Sequence, residues 1–308
     1  MKNILFNYNA SRQDVIEVRG LKTSLRRWGP EDAPVLLLLH GIRDCSATFQ
    51  FIVDHLQAGW QAISPDWRGH GHTERAQTYW FHDFVGDLST IVDMLSPNFP
   101  IPIIGHSLGG NIAGIYAGLR PSRVSHLISL DGFGPLVNEI PVDPRKVMRD
   151  FLDETNSSRH KIYPDVQAMA DRLSVSNPRL SQQNALYLAE NSSKPSTNGG
   201  RHWLYAPQIR VSLPSFRNFD EWGRIWSDVI CPTLWIQSGD KRPNAPTNNP
   251  SEMRRRAEMM PPGLVRITLD DTGHNLHHDA AEKIGSLVSK FLERPALVSN
   301  KFTIEKGC

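Results

Sequence analysis

One short pattern, Gly105-His106-Ser107-Leu108-Gly109, constrains this chain more than any other. It follows the apolar residues Ile103-Ile104 and opens a helix-length segment at 111–119. A serine flanked by glycines two residues away on each side fits a sharp strand-to-helix turn. The serine there takes a strained backbone conformation, and the glycines leave room for the chain segments that cross beside it. The turn lifts the hydroxyl clear of the sheet. It also aims the first amides of the following helix at an oxygen on which negative charge develops.

The segments around the turn supply the sheet that such a serine needs. Val35–Leu39 is an unbroken apolar run ending in His40-Gly41, the pattern of a strand buried on both faces. Residues 60–64, 102–105 and 124–130 repeat it, and 15–18 with 21–28 read as a hairpin around Gly20. Residues 81–95 place Phe84, Val85, Leu88, Ile91, Val92 and Leu95 at helical spacing. Strands alternating with helix-length segments predict parallel βαβ units. From about Pro135 to Trp226 the strand runs stop and Asn, Ser, Arg and Pro accumulate, with helix-like pieces such as 166–173 and a Ser/Asn/Gly-rich loop at 191–200. Strand patterns resume at 233–236 and 265–269, and an amphipathic helix carrying Ala281, Ile284, Leu287, Val288 and Phe291 closes the pattern. The predicted organisation is a mostly parallel α/β sheet with flanking helices. Its core is built from residues 1–134 and 227–308, with a helical insertion at 135–226 between them.

Composition narrows the function classes. Thirty-four Lys+Arg against 32 Asp+Glu leave a formal charge of +2, which offers no electrostatic basis for binding nucleic acid or an anionic membrane. The longest apolar run is far below the length of a membrane span, and the first residues lack a signal-peptide core. Cys45, Cys231 and Cys308 are odd in number and widely separated, which fits a reducing compartment. A cytoplasmic location is therefore expected. The run Arg254-Arg255-Arg256 reads as a solvated helix face, and His70 and His72 as turn and surface residues. His274, His277 and His278 lack carboxylate or thiolate ligands at matching spacing, so no metal is expected. Nothing in the pattern speaks to oligomeric state.

The serine turn, the His40-Gly41 strand end, Asp66-Trp67-Arg68-Gly69-His70-Gly71 and Asp271-Thr272-Gly273-His274 together resemble the α/β-hydrolase superfamily, and within it the cap-bearing esterase/lipase or serine hydrolase-like group. Leu130-Asp131-Gly132-Phe133-Gly134-Pro135 and Gly199-Gly200-Arg201-His202-Trp203 add to that likeness. The resemblance implies an α/β-hydrolase fold whose insertion is a helical cap over the site. It implies Ser107 as nucleophile, His274 as base, and the N–H groups of Ile42 and Leu108 as the oxyanion hole. The acid is open between two positions. The family's usual turn here reads Gly239-Asp240-Lys241-Arg242, with an arginine at the customary aspartate position. A subset of the family carries the acid one strand earlier, where Asp131 stands. Asp131 is favoured, with Asp240 as the alternative, because an arginine cannot stabilise an imidazolium.

His40, Arg43 and Phe133, with Trp203 and Tyr205 of the insertion, are the candidates for substrate contact. Phe216, Phe219, Trp222 and Trp226 are further aromatics that could line an apolar cleft. The expected activity is cofactor-free hydrolysis of a small, largely apolar carboxylic ester or lactone through an acyl-enzyme. Hydrolytic carbon–carbon cleavage by the same triad, or ligand binding without catalysis, are the alternatives.

Overall fold

The computed structural model describes residues 8–135, 143, 145, 146, 148, 149, 152, 153, 160–197, 199–210, 219–241, 248–260 and 263–293. Eight strands form one twisted sheet: β1 (Ser11–Val18), β2 (Leu21–Trp28), β3 (Val35–Leu39), β4 (Gln61–Pro65), β5 (Ile101–His106), β6 (Val124–Leu130), β9 (Thr233–Ser238) and β10 (Val265–Leu269). Two further short strands, β7 (Ser193–Pro195) and β8 (Arg201–Trp203), make a separate antiparallel hairpin. The large sheet runs in the order β1-β2-β4-β3-β5-β6-β9-β10. Only the β1–β2 and β2–β4 pairings are antiparallel. All the others are parallel.

The parallel strands are largely buried and mostly apolar, β3 entirely so, because helices cover both faces. In β3, Leu37 and Leu39 point to the face covered by α2 (Phe81–Leu95) and α3 (Leu108–Leu119). Leu36 and Leu38 point to the other face, toward α1 (Gln50–Val53) and the closing helix α9 (Ala281–Glu293). This alternation is the period-two geometry of a strand.

The described residues between β6 and β9 divide in two by their packing. Helices α4 (Val166–Ser176) and α5 (Gln182–Asn191) carry Met169, Ala170, Tyr187 and Leu188 onto Ala47 and Phe51 at the β3–α1 connection. Tyr187 there donates its hydroxyl hydrogen to Gln50 Oε1 at 3.0 Å. The following stretch runs along the turn after β4, with Ala206 N–H donating to the Gly69 carbonyl at 2.6 Å. By contrast α6 (Phe219–Trp226) lies on α3, and its Phe219, Trp222 and Trp226 belong to the core on that side of the sheet. Those three aromatics therefore do not line a cleft at the site. Within the stretch read as a loop at 191–200, Ser193–Pro195 instead form β7, whose register with β8 pairs Ser193 with Trp203. Three-residue strands leave too little alternation to recognise in sequence.

The arginine run at 254–256 lies in α7 (Pro250–Glu258) and differs from a uniformly solvated face. Arg256 is buried. It donates to the carbonyls of Phe133 and Pro135 at 2.6 and 2.7 Å and pairs with Glu252 at 2.7 Å. The guanidinium fork ties α7 to the segment leaving β6. Among the described residues, no helix is long and apolar enough to cross a membrane.

Candidate active site

Ser107 sits between β5 and α3 with φ +50° and ψ −114°, a backbone region that a non-glycine residue adopts only under constraint. The glycines are required by crowding. A methyl at Gly105 would collide with the Gly109–Gly110 peptide, and one at Gly109 with the Leu39 carbonyl of β3. Ser107 N–H donates to the Leu130 carbonyl at 2.9 Å, which holds the turn against the end of β6.

His274 enters from the far end of the chain, on the loop between β10 and the short helix α8 (Leu276–Asp279). Gly273 N–H donates to Asp279 Oδ2 at 2.8 Å, and His106 Nε2–H donates to the His274 carbonyl at 2.9 Å. These two bonds fix the loop on both sides of the imidazole. His274 Nε2 lies 3.0 Å from Ser107 Oγ, and its Nδ1 lies 2.7 Å from Asp131 Oδ2. With Nδ1–H donating to the carboxylate, Nε2 is left to accept the Ser107 hydroxyl proton.

Asp131 is the residue after β6, at φ +52°, a left-handed conformation that Asp and Asn tolerate better than most residues. Its side chain has no exposed surface, whereas that of His274 is 29% exposed. Asp131 Oδ1 accepts Ser238 N–H at 3.2 Å and Oδ2 accepts the Ser238 hydroxyl at 3.1 Å. Ser238 is the last residue of β9, and the parallel β6–β9 pairing puts the two strand ends side by side. Asp240 points elsewhere. Its carboxylate takes a two-pronged pair from Arg179 at 2.7 and 3.0 Å. Arg242 lies outside the described residues.

The loop after β3 packs on the nucleophile turn: a Cβ on Gly41 would stand 3.4 Å from Ser107 Cβ. Ile42 follows, its side chain 49% exposed beside the site. Leu108 is the first residue of α3, so its N–H has no intrahelical acceptor.

His40 does not meet substrate in this arrangement, contrary to the expectation from sequence. It is fully buried behind the loop, where Nδ1–H donates to the Gly41 carbonyl at 2.7 Å and Nε2 accepts Trp67 N–H at 3.0 Å. Burial pulls its pKa down to about 4. His70 is likewise buried rather than a surface residue. It accepts the Arg43 N–H at 3.0 Å, and burial, then the neighbouring His40, lower its pKa to about 3. Arg43, at φ +61°, is exposed. Phe133 packs into the core against Trp235 at 4.9 Å between ring centres rather than facing an open cleft. Trp203 and Tyr205 line a cavity of about 360 Å³ with Gly71, Glu74, Lys194 and His202, which neither Ser107 nor His274 borders. Phe216 lies outside the described residues.

Behind the serine turn is a polar cluster. Thr48 Oγ1 lies 2.8 Å from His277 Nε2 and 2.6 Å from His278 Nε2. The His277 ring lies tilted against that of His106, with 4.1 Å between ring centres, and His106 in turn lies 4.8 Å from His274. Burial lowers His277 well below the ordinary imidazole value and His278 to about 3. Asp44, whose Oδ1 accepts Cys45 N–H at 2.8 Å, is pushed up to about 7 by burial. Ser238, Thr48 and Arg256 escape a reading of the sequence because each works through a partner in a distant strand or helix.

The alpha/beta hydrolase fold family model matches residues 34–281. The chain belongs to the α/β-hydrolase family. A serine hydrolase-like protein of Danio rerio is 28% identical over 86% of this chain and 83% of its own length. The lipase LipV of Mycobacterium tuberculosis is 27% identical over 68% of this chain and 74% of its own. Among solved structures, the thioesterase domain of the curacin biosynthetic pathway superposes with a TM-score of 0.80 at 27% identity, covering 91% of this chain and 99% of that one. The protein is thus an α/β-fold hydrolase with esterase, lipase and thioesterase relatives.

Proposed function

We propose that this family member is a serine hydrolase acting on a small, largely apolar carboxylic ester or lactone. The reading rests above all on the continuous line from Ser107 Oγ to His274 Nε2 at 3.0 Å and from His274 Nδ1 to Asp131 Oδ2 at 2.7 Å. Ser107 attacks the ester carbonyl while His274 takes its proton. The buried Asp131 carboxylate holds the imidazole tautomer and stabilises the imidazolium. The Ile42 and Leu108 N–H groups receive the oxyanion. His274 then gives its proton to the leaving alcohol, and water repeats the sequence on the acyl-enzyme to regenerate Ser107. Every proton moves between His274 and the reacting oxygens, so the mechanism calls for no cofactor.

The insertion at 135–226 is assigned the role of a cap that limits which acyl and alcohol groups reach Ser107. Support comes from α4 and α5 docking on the segment that follows the β3 loop. The near-neutral charge of +2 suits an uncharged small-molecule substrate, and a cytoplasmic location accords with the cysteine pattern.

A fluorophosphonate probe tests the chemistry. Labelling of the wild-type chain and none of Ser107→Ala is the expected result; equal labelling of both ends the proposal. Turnover of a panel of p-nitrophenyl esters, lactones, thioesters and diketones then separates the substrate classes. Ser107→Ala should lose roughly 10⁴-fold or more of the wild-type rate on any substrate that uses the triad. Cleavage of diketones alone would assign the site to carbon–carbon hydrolysis instead.

A further inference from the structure

Asp44, His106 and His277 come from three separate segments, and one ligand atom from each lies within 4.8 Å of the other two. We propose that this cluster is a binding site for a divalent transition-metal ion such as zinc, set behind the nucleophile turn.

The donor set has the right chemistry. Two imidazoles and a carboxylate suit zinc and its neighbours, with open positions left for water. The outward contacts of the rings are those of metal-binding histidines, which engage one nitrogen with a protein oxygen and present the other. His106 Nε2–H donates to the His274 carbonyl at 2.9 Å, so Nδ1 is the lone-pair nitrogen of the neutral ring. That nitrogen faces the β3 loop, 2.9 Å from where a Cβ on Gly41 would stand. His277 Nε2 is engaged by Thr48 Oγ1 at 2.8 Å, while its Nδ1 is buried with no hydrogen-bond partner. A buried nitrogen in that state is costly for a fold to keep. A cation at the cluster would satisfy it. Asp44 is anchored on the same loop by the Cys45 N–H at 2.8 Å.

The arrangement is close to closure. Metal bonds of about 2.0–2.2 Å place tetrahedral ligand atoms roughly 3.3 Å apart, so approaches of no more than about 1.5 Å complete the site. Sequence spacing does not reveal it, because residues 44, 106 and 277 meet only once β3, β5 and the loop after β10 are aligned. The site also has a consequence for the chemistry proposed above. A doubly positive ion next to His106, whose ring lies 4.8 Å from that of His274, disfavours the imidazolium on which acyl transfer depends. Occupancy should slow turnover. The binding stands without the hydrolytic reading; the slowing rests on it.

Zinc titration by calorimetry on the full chain tests the site. Expected is one equivalent bound in the wild type and in Ser107→Ala, weakened at least tenfold in both Asp44→Asn and His277→Gln. No binding below about 100 µM in the wild type overturns the proposal. So does wild-type affinity in the two cluster variants, which would put the ion elsewhere. Cobalt added to the wild type is a check that needs no variant. Visible d–d bands without thiolate charge transfer support the cluster; a thiolate band assigns the ion to a cysteine and refutes it. Binding with the expected dependence but undiminished ester turnover would sink the inhibitory consequence alone. Failure of fluorophosphonate labelling touches only the hydrolytic reading.

Discussion

At the scale of single residues, the two acid candidates are separated by what each carboxylate touches. Asp131 meets His274 Nδ1 at 2.7 Å with its side chain wholly buried, and Asp240 spends its oxygens on Arg179 at the surface. Asp131→Asn keeps size and tolerates the left-handed backbone, yet it presents an amide that can favour the wrong imidazole tautomer. We expect kcat to fall by roughly 10³–10⁴-fold. Asp240→Asn loses a surface ion pair worth about 0–1 kcal/mol and should leave kcat within a few-fold of wild type. Steady-state kinetics on one ester substrate measures both, and loss of turnover only in Asp240→Asn would reverse the assignment. The sequence shows why the choice was open: two aspartates stand at strand ends, and an arginine stands at residue 242. Ser107 and His274 are legible because their motifs encode local geometry, a turn and a loop after a strand. Ser238 is not, since its two bonds to Asp131 exist only through the alignment of β6 with β9.

At the scale of elements, the parallel strands and their helices can be read from periodicity, because each buries a regular apolar face. The insertion reads less well. Its β7–β8 hairpin is too short to show alternation, and α6 is amphipathic without any sign of which surface it meets. The structure puts α6 on α3, where glycines allow a close approach. A Cβ on Gly118 would collide with the Ile225 carbonyl of α6, and one on Gly114 would stand 2.9 Å from Trp226 Nε1. Alanine favours an isolated helix over glycine by about 1 kcal/mol, so helix propensity alone predicts that Gly118→Ala stabilises. Overpacking against fixed backbone opposes this at about 1–3 kcal/mol. We therefore expect net destabilisation, seen as a lower urea midpoint with an unchanged slope. A raised midpoint would mean that α6 does not press on α3 at this position.

At the scale of the whole molecule, the buried histidines govern how stability depends on pH. His40 and His70 brace the loops after β3 and β4, and burial holds their pKa values at about 4 and about 3. In the unfolded chain both titrate near the ordinary imidazole value of about 6.5. Between these limits the unfolded state binds more protons than the folded one, so stability rises with pH across the window and falls as pH drops from 6.5 toward 4. These two protons contribute up to about 2.7 kcal/mol per pH unit, and the buried His277 and His278, also held below the ordinary value, act in the same sense. Asp44 acts in the opposite sense. Its folded pKa of about 7 lies above the unfolded carboxylate value, so the proton it retains in the fold offsets roughly one of the two. The net sign remains positive, with about 1.4 kcal/mol per pH unit from His40, His70 and Asp44 alone. Urea unfolding at pH 7.5, 6 and 5 should show a falling midpoint. In His70→Gln, which retains an acceptor for the Arg43 amide but cannot titrate, the decline should flatten by about one proton's worth. A slope in His70→Gln equal to wild type would show that His70 is not held neutral in the fold.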